Sequence, residues 1–306
     1  GTYVDAIVFI NKQQIELGKK VFAQYNIDKL DKFFEHRTTV VPNTSEIPWE
    51  WEHLDPNREE IICPPQDNYN NRFMKDIGLE EQVEKLGFSM EDTKILLQHT
   101  RVVPRKKIEL AIDLAFELEK KFRAAGQRKC MAIIISGHSG DEQNQYLSQL
   151  HEHFEACSAE NPGSNVILIF GEHNILSHRD IIVDKKFYNF AEIPSIIAAY
   201  GGLGTYFSDV EGFGNNLLEM ISFAVPVVIN KYDVYKEEIE KFGFNLPAID
   251  NGGLTGELID AAYKLLTDIP YRNRVVLHNL KVLKENLDHE IIAEKLKPVM
   301  LNMYTR

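Results

Sequence analysis

Residues 204–230 read GTYFSDVEGFGNNLLEMISFAVPVVIN, and this stretch decides the predicted fold. Thr205–Phe207 is a short β-prone run, and Ser208–Gly214 is a polar turn that contains two glycines. Asn215–Phe223 carries apolar residues at helical spacing, and Val225–Ile229 has the pattern of a buried strand. The stretch therefore predicts a βαβ unit with a glycine turn at the carboxyl end of its first strand.

The turn of this unit has the features of a ligand site. In open parallel sheets, ligands bind at the carboxyl ends of the strands, where backbone N–H groups and the helix dipole point outward. Gly212 and Gly214 allow a phosphate or a sugar to approach the backbone closely. Glu211 lies before the predicted helix and Glu219 eight residues later, and a carboxylate can accept two adjacent hydrogen bonds from a vicinal diol.

Residues 211–219, EGFGNNLLE, resemble the E-x7-E signature of retaining GT-B glycosyltransferases, namely glycosyl transferases group 1 of the GT4 type. The resemblance implies a donor site for a nucleotide-diphosphate sugar. Glu211, as a catalytic residue, and the backbone amides of Phe213 to Asn216 would hold the transferred hexose, and Glu219 would bind the ribose. The donor-binding residues implied here are Ser208, Gly212, Phe213, Gly214, Asn215, Asn216, Leu218 and Glu219.

A second motif precedes this one in the chain. The predicted strand Ile95–His99 is followed by residues 100–107, TRVVPRKK, which resemble the family segment GRLVPRKG. The resemblance implies that Arg101 and Lys106 are catalytic residues that stabilise the diphosphate leaving group, in place of the metal that other glycosyltransferases use. Lys107 stands where the family has glycine. Taken alone, three basic residues before a helix are more often a solvated turn.

A third candidate is a histidine after the next predicted strand, Met131–Ser136. The turn Gly137–Glu142 lies where the family often has VGxG, and His138 is a candidate contact of the donor phosphate or ribose. A surface histidine in a polar loop is nevertheless the commoner case. In the family, the loop Gly171–His178 lies against the nucleotide base, mainly through main-chain atoms.

Strands near residues 95, 131, 165, 204 and 226 alternate with predicted helices. This order predicts an α/β fold with a Rossmann-like, doubly wound parallel sheet. By resemblance, residues 1–45 are the end of an N-terminal acceptor-type domain, and 46–70 are a linker. Residues 71–290 are the nucleotide-sugar-binding domain, and 291–306 are a C-terminal helix. The resemblance implies that most of a first domain, on the order of 150 residues, is missing from this sequence.

The linker contains Trp49 and Trp51. A stacking platform for a base or a sugar is one interpretation of these two side chains. Anchors that hold the linker against a domain are the favoured interpretation, since large aromatic side chains gain most from burial.

The composition excludes some functions. The chain has 306 residues and a net charge of −12, which argues against nucleic acid as a partner. Its three cysteines include no C-x-x-C pair, so we expect reduced thiols, a cytoplasmic protein and no structural zinc site. His151, His153 and Glu155 do not share one helix face, so no metal ligands are predicted. No run of 18 apolar residues occurs, which predicts no transmembrane span and leaves peripheral membrane association open.

The order of the three motifs argues against a generic Rossmann-like domain with surface charges. We expect transfer of a hexose from a UDP- or GDP-sugar to a hydroxyl of a sugar, lipid or small molecule, with retention and without a metal or other cofactor. We also expect that this chain alone binds donor but transfers poorly, because an acceptor-binding domain or subunit is missing from it. Two alternatives are a nucleotide-sugar epimerase of GT-B fold and a non-catalytic or regulatory subunit of a split glycosyltransferase.

Overall fold

A computed structural model describes residues 7–25, 30–138 and 144–304 of the chain. Its first part is a small unit in which strand β1 (Ile7–Phe9) pairs in parallel with strand β2 (Thr38–Val40). Helices α1 (Lys12–Ala23) and α2 (Leu30–Arg37) connect them. The sequence itself predicts a strand at Tyr3–Ile10, a helix at Gln13–Gln24 and a strand at Arg37–Val41. α1 and β2 confirm the helix and the second strand, α2 is not predicted, and Tyr3–Ile10 lies partly outside the described residues.

Residues 41–67 form no helix or strand, as the linker prediction requires. The Trp49 indole donates a hydrogen bond to the carbonyl of Ser222 at 2.8 Å. Trp51 is buried and packs in a cluster with Ile62, Ala224, Val276 and Leu280. These contacts confirm that the two tryptophans anchor the linker to the following domain.

That domain is built on nine strands and nine helices within the described residues. The strands are β3 (Thr93–Gln98), β4 (Cys130–Ile135), β5 (Val166–Phe170), β6 (Ile175–Leu176), β7 (Asp180–Ile182), β8 (Lys185–Asn189), β9 (Leu203–Tyr206), β10 (Val227–Asn230) and β11 (Ala248–Ile249). The helices are α3 (Phe73–Asp76), α4 (Leu79–Lys85), α5 (Ile108–Ala124), α6 (Asn144–Glu160), α7 (Ile193–Ala199), α8 (Asn215–Ser222), α9 (Gly256–Thr267), α10 (Ile269–Leu287) and α11 (His289–Tyr304).

Six of these strands form one parallel sheet in the order β11-β10-β9-β3-β4-β5. Strand β4, which lies between β3 and β5, is buried at all six positions, because helices cover both faces of a parallel sheet. Helices α3, α4, α7 and α8 pack on one face, and α5, α6 and α9 pack on the other. The predicted α/β doubly wound sheet is therefore confirmed. None of the helices described is both long and apolar enough to cross a bilayer.

One region differs from its prediction. The predicted loop Gly171–His178 contains β6, which joins β7 and β8 in a three-stranded sheet. The β7–β8 hairpin turns at Val183 and Asp184, both at positive φ, without the glycine that usually marks such a turn in a sequence. The charged segment Lys231–Phe242 forms a π-helical turn (Tyr235–Ile239) followed by a 3-10 turn (Glu240–Phe242).

The two glycines of the turn after β9 are not equivalent. Gly214 has φ of 115°, and a Cβ atom there would lie 2.2 Å from the Tyr232 hydroxyl oxygen. That hydroxyl donates a 2.7 Å hydrogen bond to the carbonyl of Phe213, so it cannot move away without cost. At Gly212 the nearest atom to a Cβ would be the Ile10 Cδ1 at 3.7 Å, an ordinary contact. Only Gly214 is required by the backbone.

We therefore expect Gly214→Ala to lower the free energy of unfolding by about 2–4 kcal/mol, because it combines backbone strain with overpacking. Gly212→Ala is the matched control and should stay within about 1 kcal/mol of the parent. Urea unfolding followed by circular dichroism measures both values. Equal stabilities of the two variants would contradict the assignment.

Candidate donor site

The topological switch of the sheet lies between β3 and β9. From β3 the chain proceeds to β4 and β5 on one side, and it later returns to β9 on the other side. The turns that follow β3 and β9 meet there, where the backbone N–H of Asp209 donates to the carbonyl of Arg105 at 2.9 Å. Ligands of open parallel sheets bind in the crevice at this position. Both sequence motifs therefore reach the same point of the fold.

A buried ion pair joins the two motifs. The Lys106 ammonium donates to Oε1 of Glu211, and only 7% and 8% of these two side chains are exposed. Arg105 contacts the other carboxylate oxygen at 3.2 Å and the carbonyl of Val210 at 2.5 Å. The Lys106 ammonium also lies 5.2 Å from the centre of the Tyr206 ring. Glu211 thus holds the cations of the first motif rather than facing an open crevice.

Burial and charge act in opposite directions on this pair. Burial lowers the pKa of Lys106, and the Glu211 carboxylate opposes that shift only in part. Burial alone would raise the pKa of Glu211, but Lys106, with help from Ser208 and Arg105, brings that pKa below its usual value. The exposed Arg101 also lowers the pKa of Lys106, which places its positive charge near the pair.

Lys107 occupies the position where the family has glycine. Its φ is 49°, in the left-handed region, and its ammonium lies 3.5 Å from the carboxylate of Asp209. A left-handed conformation costs a non-glycine residue roughly 1–2 kcal/mol. Lys107 therefore adopts a conformation that glycine, the residue at this position of the GRLVPRKG segment, adopts without strain.

A buried histidine holds Glu219. His99 is fully buried directly after β3, and its Nε2 lies 3.2 Å from Oε2 of Glu219. Its Nδ1 lies 2.8 Å from the hydroxyl of Ser136, the first residue after β4. The ring stacks on Phe190 with centroids 4.0 Å apart. The side chain of Glu219 remains 26% exposed, so it can still accept hydrogen bonds from a ligand.

The turns after β3 and β4 are in direct contact. A Cβ atom on Gly137 would lie 2.0 Å from the carbonyl oxygen of Thr100, so only glycine fits there. His138 is exposed, and its backbone carbonyl accepts a 3.3 Å hydrogen bond from the N–H of Val102. The rest of the predicted turn, 139–143, lies outside the described residues.

The N-terminus of α8 points its backbone at the same crevice. The first N–H groups of a helix have no carbonyl one turn earlier, so the amides of Asn215 and Asn216 are available to a ligand. Asn216 is also fixed in place, because its side chain donates to the carbonyl of His99 at 2.6 Å. The N-cap residue of α8 is Gly214, which has no side chain, and no side-chain hydrogen bond caps the helix within the described residues.

The remaining predicted residues have different positions. The side chains of Phe213 and Leu218 are buried in the core, so only their backbone atoms can face a ligand. Ser208 is fully buried, and its hydroxyl has no hydrogen-bond partner within the described residues. It nevertheless lies close enough to Glu211 to help lower the pKa of that carboxyl. The carbonyl of Ser208 accepts a 3.1 Å hydrogen bond from Asn230.

Sequence reasoning missed four residues at this edge: Asn11, His99, Arg105 and Ser136. Asn11, the cap of α1, donates to the carbonyl of Gly212 at 2.6 Å. His99 and Ser136 are each the last residue of a predicted strand. The rule that strand ends face the ligand could have identified them.

A cavity of about 920 Å³ lies elsewhere, between the linker and residues 179–195. None of its lining residues belongs to the turns after β3, β4 or β9. Three of its charged residues are already paired with one another, since Arg179 bonds both Asp67 and Glu192. We therefore assign the candidate site to the sheet edge and not to this cavity.

The fold is that of the GT-B glycosyltransferases. Crystal structures of HepE from Anabaena and TarM from S. aureus superpose on the chain with TM-scores of 0.58 and 0.55. HepE, in complex with UDP and glucose, is 16% identical and covers 97% of this chain and 63% of its own. TarM is 15% identical and covers 96% of this chain and 43% of its own. At these identities the likeness shows the fold.

Sequence comparison gives more particular relatives. The mannosylglucosylglycerate synthase of Petrotoga mobilis is 30% identical over 177 residues, which is 54% of this chain and 37% of the relative. The enzyme of the same name from Thermotoga maritima is 26% identical over 251 residues, 75% of this chain and 54% of the relative. No protein-family model matches the chain. The predicted resemblance to GT-B glycosyltransferases is confirmed, and the chain spans about half the length of these curated relatives, or less.

The buried ion pair gives a prediction for stability. Lys106→Met and Glu211→Gln should each cost about 3–5 kcal/mol, because each leaves a buried charge without its partner. The double variant should cost clearly less than the sum of the two. Urea unfolding of all four proteins measures the coupling. The exposed pair Lys85–Glu81 is the matched control and should show no measurable coupling.

The same pair predicts a dependence on pH. Because the folded pKa of Glu211 lies below its ordinary value of 4.5, its contribution is fully present above that pH. It is lost as the pH falls through the lowered folded pKa. Glu211→Gln should lack this component of acid unfolding. An unchanged acid profile in that variant would contradict the assigned ion pair.

Proposed function

We propose that this chain is the donor-binding part of a retaining glycosyltransferase that uses a nucleotide-diphosphate sugar. One observation carries the proposal: two cations, a helix N-terminus and a partly exposed carboxylate meet at the topological switch of the sheet. A diphosphate needs positive charge and N–H donors, and a ribose needs an acceptor for its two hydroxyls. The crevice offers both within one short edge of the sheet.

Lys106 and Arg101 would bind the diphosphate together with the amides of Asn215 and Asn216. An ammonium has three N–H donors, of which Glu211 uses one, so Lys106 can contact a phosphate without leaving its partner. Arg101 is exposed and free to make a bidentate contact with phosphate oxygens. In this arrangement Glu211 positions Lys106. A contact from Glu211 to the hexose would require the sugar to share that carboxylate.

We propose the reaction that the resemblance to retaining GT-B glycosyltransferases implies. The bond between the anomeric carbon and the β-phosphate oxygen breaks, and the acceptor oxygen bonds to the same face of that carbon. The acceptor proton passes to the departing phosphate oxygen. Stabilising the charge on the leaving diphosphate is the largest contribution that Arg101 and Lys106 can make. No metal ion is needed in this scheme, since the two cations neutralise the diphosphate.

The compared proteins support a nucleotide donor and a hydroxyl acceptor. HepE and TarM were crystallised with UDP, and both curated relatives are named as a synthase of mannosylglucosylglycerate. We propose that the donor is a UDP- or GDP-sugar and the acceptor is a hydroxyl of a sugar or other small molecule. Completion of the acceptor side by a further domain or subunit, and a cytoplasmic location, are parts of the same proposal.

Calorimetric titration with UDP-, GDP- and ADP-sugars tests the donor site. We expect one nucleotide to bind equally with and without a chelator. Arg101→Ala and Glu219→Ala should each weaken that binding at least about tenfold, the effect of losing hydrogen bonds to a charged group. Glu81→Ala, an exposed acid on α4, is the control and should leave affinity unchanged. No binding by the folded chain, or equal affinity in both site variants, would contradict the proposal.

His99 should act as a positioning residue for Glu219. We expect the parent to bind UDP about tenfold more tightly than 2′,3′-dideoxy-UDP, the worth of roughly one hydrogen bond to a charged group. His99→Leu should remove most of this preference, because Glu219 loses the group that orients it. Calorimetry with both nucleotides measures the ratio. An equal loss of affinity for the two ligands would indicate a purely structural role.

A further inference from the structure

A second cluster of reactive side chains lies outside the donor site, between α5 and α6. It consists of Asp113 on α5 and of His153 and Cys157 on α6, whose ligand atoms all lie within 4.8 Å of one another. His153 and Cys157 are four residues apart, so they share one face of their helix. Nothing in the proposed glycosyl transfer uses these residues.

We propose that Asp113, His153 and Cys157 bind a Zn²⁺ ion. In a tetrahedral zinc site, bond lengths of about 2.0–2.3 Å place neighbouring ligand atoms about 3.3–3.6 Å apart. Here Cys157 Sγ lies 3.6 Å from Nε2 of His153 and 3.6 Å from Oδ1 of Asp113. Two of the three distances between ligand atoms therefore already match those of a tetrahedral zinc site.

The third distance between ligand atoms, from His153 to Asp113, is shorter. His153 Nε2 and Asp113 Oδ1 are 2.7 Å apart, the distance of a hydrogen bond. An ion would replace the shared proton and lengthen this distance by roughly 0.6 Å, a small movement for two half-exposed side chains. Carboxylate, imidazole and thiolate are the three ligand types that zinc takes from proteins.

A nucleophilic cysteine is the competing interpretation, and the geometry opposes it. In a Cys-His-Asp triad the acid and the thiol contact different nitrogens of the imidazole. Here both Asp113 and Cys157 contact Nε2 of His153.

The surroundings leave room for a fourth ligand. Asp113 and Cys157 line an open cavity of about 420 Å³, which Glu117 and Glu160 also line. A water molecule can complete the coordination there, and Glu160 adds negative charge beside the ion. Because Asp113 is on α5 and the other two ligands are on α6, the ion would link the two helices. It would lie on the second turn of α5, roughly 8 Å along the axis from Ile108.

The sequence did not reveal this cluster. His151 and Glu155, the nearby candidate ligands in the sequence, lie on other faces of α6 than His153. The three cysteines include no C-x-x-C pair, so the sequence predicts no zinc site. Asp113 is 40 residues from His153, and only the packing of α5 against α6 brings them together.

The test uses the full chain, free of any histidine tag and freed of metal with a chelator, and Co²⁺ as a spectroscopic probe. We expect one Co²⁺ per chain, with the ligand-to-metal absorption of a cobalt–thiolate bond and the visible bands of tetrahedral Co²⁺. One equivalent of Zn²⁺ should displace it and raise the midpoint of thermal unfolding. Cys157→Ser should abolish the thiolate absorption, whereas Cys63→Ser, which alters the partly buried thiol of the linker, should retain it.

His153→Gln and Asp113→Asn should each weaken Zn²⁺ binding at least tenfold in competition with a chelating dye, in proteins shown to be folded by circular dichroism. Zn²⁺ should also slow alkylation of Cys157 in the unaltered chain without slowing that of Cys63. An absence of cobalt–thiolate absorption, or alkylation of Cys157 that Zn²⁺ does not change, would overturn the proposal. Neither readout depends on nucleotide binding, so it can fail while the donor site stands.

Discussion

The buried ion pair between Lys106 and Glu211 is the interaction on which the rest of the site depends. Each charge is almost fully buried, so each is tolerated only because the other is present. The pair fixes the turn after β3 against the turn after β9. Arg101 lies in the first of these turns, and the second leads into α8, whose N-terminus lies at the same edge of the sheet. Glu219 on α8 reaches His99, directly after β3.

Much of the main sheet could be predicted from the sequence for a physical reason. Parallel strands that are covered on both faces are short, continuous apolar runs, and glycine turns separate them from amphipathic helices. The stretch around β9, α8 and β10 has all of these signals, and its boundaries were predicted to within about two residues. The β7–β8 hairpin has none of them, because its turn is Val183-Asp184 and its strands are partly exposed and mix charged with apolar residues.

The candidate site was predictable only where its residues are neighbours in the sequence. The segments around Arg101, Lys106 and Glu219 each carry a local motif, and the fold brings them together. Ser136 and His99 are 37 residues apart, and His99 and Glu219 are 120 residues apart. Neither contact can be predicted from residues that are neighbours in the sequence. A local motif also does not show in which direction each of its side chains points. Leu218 lies beside Glu219 in the sequence but faces the core.

The small unit at residues 7–40 and the segment that follows it both contact the turn after β9. Asn11 bonds the carbonyl of Gly212, and Asn43 bonds the side chain of Asn215, at the beginning of α8. Occupancy of this turn by a ligand and packing of the first part of the chain against it therefore involve the same few residues. Where two equilibria share a surface, their free energies are linked reciprocally. A ligand that strengthens the packing of the small unit against this turn must itself bind more tightly, by the same factor, when the unit is packed there.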